Sequence, residues 1–368
     1  MDGRIYWLGF SVFPGIGPVK LKKMLSFFGS AKNAWKAPLA DLKASGIGPA
    51  TALQFDDYRK TFSPFAYEEK LYKQDASFLI LTDMDYPAQL RASNKPPRVL
   101  FTKGKFTFNT PENASAIAVV GTRKVTEYGR QVTELLTAEL VAVGCVIISG
   151  LAMGVDAIAH RATIASGGRT IAVLGSGVDL CTPKENEALY NSILAHDGVI
   201  ISETPLGQVP NKGSFPARNR IIAGLSLGVL VTEGAEDSGS LITAKDAFEN
   251  NRKVFAVPGP ITSSVSRGPL ALLGQGAKLV MAGKDILEEL GMGRDRGDPA
   301  ERGWRKRVMG DTEEEQRIIA VLSNEQLHFD ELVRRTKMTS SQLGSLLSLL
   351  EMKRYIKSLD KGIYCISE

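Results

Sequence analysis

The sequence predicts an α/β fold with a doubly wound, mostly parallel sheet, and three observations lead to it. Between residues 116 and about 290, short apolar runs recur at Ile117–Val120, Val146–Ser149, Thr170–Leu174, Val199–Ser202, Val229–Thr232 and Lys253–Val257. Each run is nearly continuous in its apolar character, as expected of parallel strands covered on both faces. Segments of helical period lie between most of them, as strand-helix-strand crossovers require. The arrangement is Rossmann-like.

The flanking regions follow in order. Residues 1–65 predict a small helical domain. Pro14-Gly15-Ile16-Gly17-Pro18 opens one apolar-periodic segment, with Val19, Leu21, Met24, Leu25 and Phe28, and Gly46-Ile47-Gly48-Pro49 opens another some thirty residues later. This internal echo resembles a pair of helix-hairpin-helix units (a SAM-like helical domain). In such a unit the glycines let the backbone approach a phosphate, and the following helix N-terminus offers N–H donors. A helical cap whose glycines only make tight turns reads the same way, and both alternatives stand. The predicted Rossmann-like domain with its lead-in spans 66–290. The lead-in carries a strand at Phe78-Leu79-Ile80-Leu81, rigid turns at Asp85-Tyr86-Pro87 and Pro96-Pro97, and then Val99-Leu100-Phe101. Residues 291–311 are rich in glycine and charge and read as a linker. In 312–368, three apolar-periodic segments precede a short pair of strands around Ile356 and Ile363, which describes a winged helix. Its third helix offers Ser341, Gln342 and Ser345 but no cation before Lys353, which favours contact with protein over contact with DNA.

At 368 residues, with 43% hydrophobic and 23% charged residues, the chain has material for two or three domains with real cores. The net charge of +5 permits a nucleic-acid partner without requiring one. Cys145, Cys181 and Cys365 stand far apart, and His160, His196 and His328 are equally scattered. Neither a disulfide framework nor a zinc site is expected, and a reducing cytoplasm fits. Neither a signal-peptide pattern nor a membrane-spanning run is present, so no membrane insertion is expected.

Ligands of open α/β sheets collect at the carboxyl ends of the strands. In this sequence those ends are small and basic. They carry Gly121-Thr122-Arg123, then Ser149-Gly150, then Gly175-Ser176-Gly177 with Lys184 beyond Pro183. The fourth run leads to Lys212, Phe215, Arg218, Asn219 and Arg220, and the fifth to Glu233 and the loop Ser238-Gly239-Ser240. Fixed cations on one wall and backbone N–H groups on the other suit a polyanion. Arginine and lysine neutralise phosphates while N–H groups position a strand without reading its sequence. Phe215 reads equally as a stacking platform for an unpaired base or as a core phenylalanine. VVGTRKVTEYG after the first strand lacks the GxGxxG of dinucleotide enzymes, and no GxxxxGK[ST] is present. No Ser/His/Asp set is apparent, and Asp156 with His160 lacks a third metal ligand. That pair reads as a local hydrogen bond on one helix face. No cofactor, metal or catalytic residue is expected.

The motifs VVGTR, ISGLAMGVDAIAH, TIAVLGSGVD, PKEN, ISE, FPARNRIIAGLS, SGSLITA and VFAVPGP, with DYPAQL and KPPRVLFTKG before them, resemble the DNA-processing protein A (Smf) family. The resemblance covers the α/β region almost end to end. It implies a single-stranded DNA-binding recombination mediator of natural transformation that forms a homodimer through the Rossmann-like domain. Such a protein protects incoming single strands and loads a RecA-type recombinase onto DNA coated with single-strand-binding protein. Carried onto this sequence, the DNA contacts fall on Arg123, Lys184, Lys212, Phe215, Arg218 and Arg220, with Ser238, Gly239 and Ser240 facing phosphate. Two positions depart from the family pattern. Cys181-Thr182-Pro183 stands where an aromatic is usual, and Ser266-Arg267-Gly268-Pro269-Leu270 lacks an asparagine. The sheet also resembles nucleoside-monophosphate phosphoribohydrolases. However, the proline-glycine pair and catalytic glutamate of their loop are missing around Glu233-Gly234 and Ser238-Gly239-Ser240, so the sequence favours a protein that is not an enzyme. A third reading makes the two flanking domains an assembly scaffold.

Overall fold

The structure is a computed structural model that describes residues 3–110, 113–211, 213–292, 312–322, 327–353, 355–359 and 362–366. The chain divides into two units, Met1–Arg294 and Asp295–Glu368.

The first unit begins with helices α1 (Arg4–Val12), α2 (Pro18–Phe28), α3 (Ala31–Lys36), α4 (Leu39–Ala44), α5 (Pro49–Thr61) and α6 (Pro64–Tyr72). Their starts follow from sequence. Proline occupies the first turn of α2, α5 and α6, where its missing N–H costs nothing. Ser30 and Ser63 cap α3 and α6 through their hydroxyls. Phe10, Trp35 and Phe55 form the aromatic centre, with Phe10 stacked on Phe55 at 5.0 Å. The same apolar cluster continues into Phe78, Phe101, Leu174 and Ile200 of the sheet, so these helices cover one of its faces. The linker expected over 291–311 lies, beyond residue 292, outside the described residues.

The sheet strands are β1 (Ala76–Ile80), β2 (Val99–Lys103), β3 (Ala116–Val120), β4 (Val146–Ser149), β5 (Thr170–Leu174), β6 (Val199–Ser202), β7 (Gly228–Val231), β8 (Lys253–Ala256) and β9 (Lys278–Leu279). Their order is β1-β2-β6-β5-β4-β3-β7-β8-β9. From β6 to β9 every pairing is parallel, while β2 runs antiparallel to both β1 and β6. β3 is central, and the chain winds outward from it in both directions, reversing between β3 and β7. Alternate residues of β3 feed opposite cores: Ala118 and Val120 point one way, Ile117 and Val119 the other, all nearly inaccessible. That two-sided burial explains the unbroken apolar runs. The crossing helices are α8 (Glu127–Ala142), α9 (Val155–Ala165), α10 (Glu187–Ala195), α11 (Ser214–Leu225), α12 (Gly239–Glu249) and α13 (Arg267–Gly274), while α7 (Ala88–Arg91) lies between β1 and β2 and α14 (Gly283–Glu289) follows β9.

The six strands predicted between 116 and 290 agree with the observed ones to within about a residue, Thr232 and Val257 falling just beyond β7 and β8, while β1 starts two residues before the predicted Phe78. β9 was not expected from the sequence. Its two residues are both exposed and leave no apolar run to detect.

The second unit holds α15 (Glu313–Leu322), β10 (Leu327–His328), α16 (Phe329–Thr336), α17 (Ser340–Met352), β11 (Ile356–Leu359) and β12 (Ile363–Ile366), with its sheet in the order β10-β12-β11. This is the expected winged helix. Its core gathers Ile318, Leu332, Leu343, Leu347 and Leu350. Gln342 closes a capping box with Thr339 at the start of α17, and the Ser345 hydroxyl donates to the Ser341 carbonyl. Lys353 donates to both oxygens of the buried Glu315 carboxylate, at 2.7 and 2.9 Å. Among the described residues, no helix is long and apolar enough to cross a membrane.

Candidate functional site

The carboxyl ends of β3, β4 and β5, together with the segment that leads into α11, enclose a cleft of about 120 Å³. Arg123 contributes from the turn after β3, and Gly150, Ala152 and Met153 from the turn after β4. Gly175, Ser176, Thr182 and Pro183 follow β5. Pro210, Phe215 and Arg218 close the remaining side. The exposed Arg123 guanidinium lies over the Phe215 ring, 5.4 Å from its centre. That is cation-π distance, and it places a cation and a half-buried aromatic face at one mouth.

Arg218 sits at the cleft's base. It is 7% exposed, its Nη1 donates to the Val173 carbonyl at 3.2 Å, and the same nitrogen lies 3.8 Å from Asp156 Oδ2. Asp156 in turn accepts the N–H groups of Gly150 (3.1 Å) and Ala152 (3.4 Å), which fixes the turn after β4. Burial pushes the Asp156 carboxyl up, while the Arg218 charge and the two N–H bonds pull it down. Burial likewise pushes the Arg218 guanidinium down against the attraction of Asp156. Gly150 is required here, since a Cβ at that position would fall on the Arg218 guanidinium. The Leu151 carbonyl next in the turn accepts from Asn186 Nδ2 at 2.9 Å.

Several expectations need correction. Two arginines read as cations of a common wall are placed otherwise. Arg218 is an internal ion-pair member that lines the cleft from beneath. Arg220 lies away from the cleft lining and is paired with the Glu203 carboxylate and the Lys95 carbonyl. A helix turns about 100° per residue, so positions 218 and 220 cannot share a face. The expected Asp156–His160 pair is likewise replaced by separate partners. His160 Nδ1 meets Thr170 Oγ1 at 2.7 Å, and the Thr170 hydroxyl donates to the Ile147 carbonyl. The threonine proton is thereby committed, so His160 must donate from Nδ1. Its buried Nε2 has no hydrogen-bond partner.

Other predicted residues hold the rim instead of lining it. Gly121 and Thr122 carry its backbone, with Thr122 N–H donating to the Glu233 carbonyl at 2.7 Å. Ser149 is fully buried and donates to the Val119 carbonyl. Asn219 Nδ2 reaches the Gly239 carbonyl at 3.1 Å, tying α11 to the start of α12. Ser238 caps α12, with its Oγ 2.8 Å from that of Ser240, outside the cleft lining. Lys184 is exposed next to the cleft-lining Pro183. Lys212 lies outside the described residues. Ala152, Met153, Thr182 and Pro210 also line the cleft, although nothing in the sequence marks them as site residues. Three are small or apolar, and only the fold brings Pro210 opposite Gly175. Asp156 as partner of Arg218 was equally hidden, because 62 positions separate them.

Glu233 has a structural place as well. Its two carboxylate oxygens accept the Thr126 N–H at 2.9 Å and the Thr126 hydroxyl at 2.5 Å. A side chain at Gly129 would collide with that carboxylate, so the glycine lets α8 approach.

His160 makes a pH prediction. Burial, helped by the Arg218 charge, lowers its pKa from 6.5 to about 3. Because the folded value is depressed, the unfolded chain binds a proton at pH values where the native chain does not. Stability is therefore full above 6.5 and falls as pH drops towards 3, by about 2 kcal/mol between pH 6.5 and 5. Urea melts across this range should show the loss in the wild type and a smaller one in His160→Gln.

Fold and cleft together define a Rossmann-like domain with an arginine and a phenylalanine at the mouth of a strand-end cleft, joined in sequence to a winged helix. Two sequence families describe that combination. The family described as DNA recombination-mediator protein A matches residues 77–291, and the DprA winged helix domain matches 307–362. This chain belongs to the DNA recombination-mediator protein A family. Protein Smf of Synechocystis is 41% identical over 290 residues, covering 78% of this chain and 73% of that protein. DNA processing protein DprA of Bacillus subtilis is 44% identical over 225 residues, covering 61% and 73%. The X-ray structure of DNA processing protein A from Streptococcus pneumoniae superimposes with a TM-score of 0.66 at 36% identity, over 78% of this chain and 98% of that one. A structure addressing the single-stranded DNA binding mode of the Helicobacter pylori protein gives 0.52 at 31% identity, over 58% and 95%.

Proposed function

We propose that this chain is a sequence-independent single-stranded DNA-binding protein, without catalytic activity, that protects incoming strands in natural transformation. It hands them to a RecA-type recombinase in exchange with single-strand-binding protein, as a cytoplasmic homodimer paired through its Rossmann-like domain. The observation that carries this reading is the mouth formed by Arg123 over Phe215. An exposed cation meets phosphate there, and an aromatic face meets an unpaired base, with backbone turns between them. A duplex keeps its bases stacked away from such a face. The relatives named above support the same ligand.

The binding reading over a hydrolytic one is supported by Glu233, whose carboxylate is occupied by Thr126. The winged helix suits protein contact, since Gln342 and Ser345 are engaged within α17 and Lys353 is held by Glu315. Photo-crosslinking of a bromodeoxyuridine single strand, mapped by mass spectrometry, tests the site. Adducts are expected in peptides containing Arg123, Met153, Lys184 or Phe215. Adducts confined to other peptides would overturn the assignment. Faster recombinase nucleation on strands coated with single-strand-binding protein tests the handover.

A further inference from the structure

The segment that connects β6 to α11 supplies one side of the cleft, since Pro210 lines it and Phe215 follows in the first turn of α11. Its course is fixed by backbone groups of three consecutive residues, each bonded to a residue remote in sequence. The Leu206 N–H donates to the Tyr67 hydroxyl of α6 at 2.8 Å. The Gly207 N–H lies 2.9 and 3.0 Å from the two carboxylate oxygens of Asp179. The Gln208 carbonyl accepts the Gly177 N–H at 2.9 Å. Gly177 and Asp179 belong to the turn after β5, whereas Tyr67 belongs to the helical layer.

The sequence permits this close approach at two glycines. A Cβ at Gly177 would fall on the Pro205 carbonyl and the Asp179 carboxylate, and Gly207 has a φ of 75°, which glycine adopts freely. The Leu206 side chain is buried in the same apolar cluster as Tyr67, Phe101 and Ile200. The Tyr67 ring stands edge-on to Phe101 of β2, with 6.5 Å between centres, so its hydroxyl is held at a set distance from the sheet. Past Gln208 these anchors end. Val209 is exposed, and the described side-chain bonds of Asn211 reach only Gly213 and Ser214. Arg218 and Asn219 tie α11 down again further along, to the Val173 and Gly239 carbonyls. Phe215 stands between the two sets of anchors, seven residues after the first.

We infer that, with this mouth read as a single-strand site as proposed above, Tyr67 is its positioning residue in the helical layer. By holding the Leu206 N–H it sets the course of residues 206–211, and with it the place of Phe215 at the mouth. Tyr67 is buried and outside the cleft lining, so it acts through Phe215 and not by touching DNA. The helical layer thereby takes part in binding without offering a group to the strand.

A double-mutant cycle tests this in the full chain with labelled oligothymidine, using Tyr67→Phe, Phe215→Ala and the two combined. Tyr67→Phe keeps the ring and its packing and removes the acceptor of the Leu206 N–H. The single-strand dissociation constant should rise about three- to tenfold, the worth of one such hydrogen bond. The slope of affinity against salt should stay the same, because no cation is removed. In the Phe215→Ala background the same change should cost less than about twofold. Amide exchange should quicken over residues 206–211 and stay as in the wild type in β4 and β5. Each of three results would overturn the inference: wild-type affinity in Tyr67→Phe, an equal loss in both backgrounds, or unaltered exchange over 206–211. Wild-type binding by Phe215→Ala is a different failure, which removes the single-strand reading of the mouth and the role of Tyr67 with it.

Discussion

An Arg218→Ala variant is expected to lose about 3–5 kcal/mol of stability, because it leaves the Asp156 carboxylate buried without its counter-charge. Both side chains are only 8% exposed, and their 3.8 Å separation is set by the turn after β4 and by α11. For a unit of this size the loss corresponds to a melting temperature lower by roughly 10 °C. Thermal melts of the purified chain would show it. Pairing Arg218→Met with Asp156→Asn should recover most of the loss. Asparagine keeps an acceptor for the Gly150 and Ala152 N–H groups, and no buried charge is left alone. A single variant that melts like the wild type would show that the ion pair does not hold the site together. Weaker DNA binding by Arg218 variants thus has to be read beside their stability.

The second large effect belongs to Arg123 and Phe215. Arg123→Glu replaces an exposed cation with an anion, so single-strand affinity should fall at least tenfold at moderate salt. The slope of affinity against salt should become shallower by about one counterion or more. Phe215→Ala should remove about 1–3 kcal/mol of base stacking, roughly five- to 150-fold in dissociation constant. Neither change should lower the melting temperature by more than a few degrees, since Arg123 is exposed and Phe215 half-buried. Fluorescence anisotropy with an oligothymidine strand measures both. If the two variants bind as the wild type does, the strand lies elsewhere on the molecule.

Much of this architecture was legible because burial on both sheet faces leaves a local trace. Ile117 to Val120 had to be apolar at every position, and each central strand announced itself in that way. The winged helix was equally plain from its periodic leucines. The site was legible only as a set of strand ends. Glycine-bearing turns and nearby basic residues marked Arg123, Gly150 and Phe215, which the fold does bring together. Sequence could not show which cations face solvent. Arg218 and Arg220 look alike in the chain, yet each found an internal acid, Asp156 or Glu203, whose approach depends on long-range packing. His160 is a similar case. Its true partner, Thr170, comes from the next strand and not from its own helix. The two Gly-Ile-Gly hairpins were visible as an echo. Their mutual contact through Lys20 and Thr51 was not.

The proposed ligand of the strand-end mouth is a strand of DNA and not a single nucleotide. The most direct measurement is anisotropy binding of the intact chain to a labelled single strand of mixed sequence. Oligothymidine and AMP serve as competitors at several salt concentrations. Both strands are expected to compete equally, with affinity falling steeply as salt rises, and AMP to compete only at concentrations orders of magnitude higher. Competition by AMP on a par with the strands would contradict it and make the mouth a small-molecule pocket.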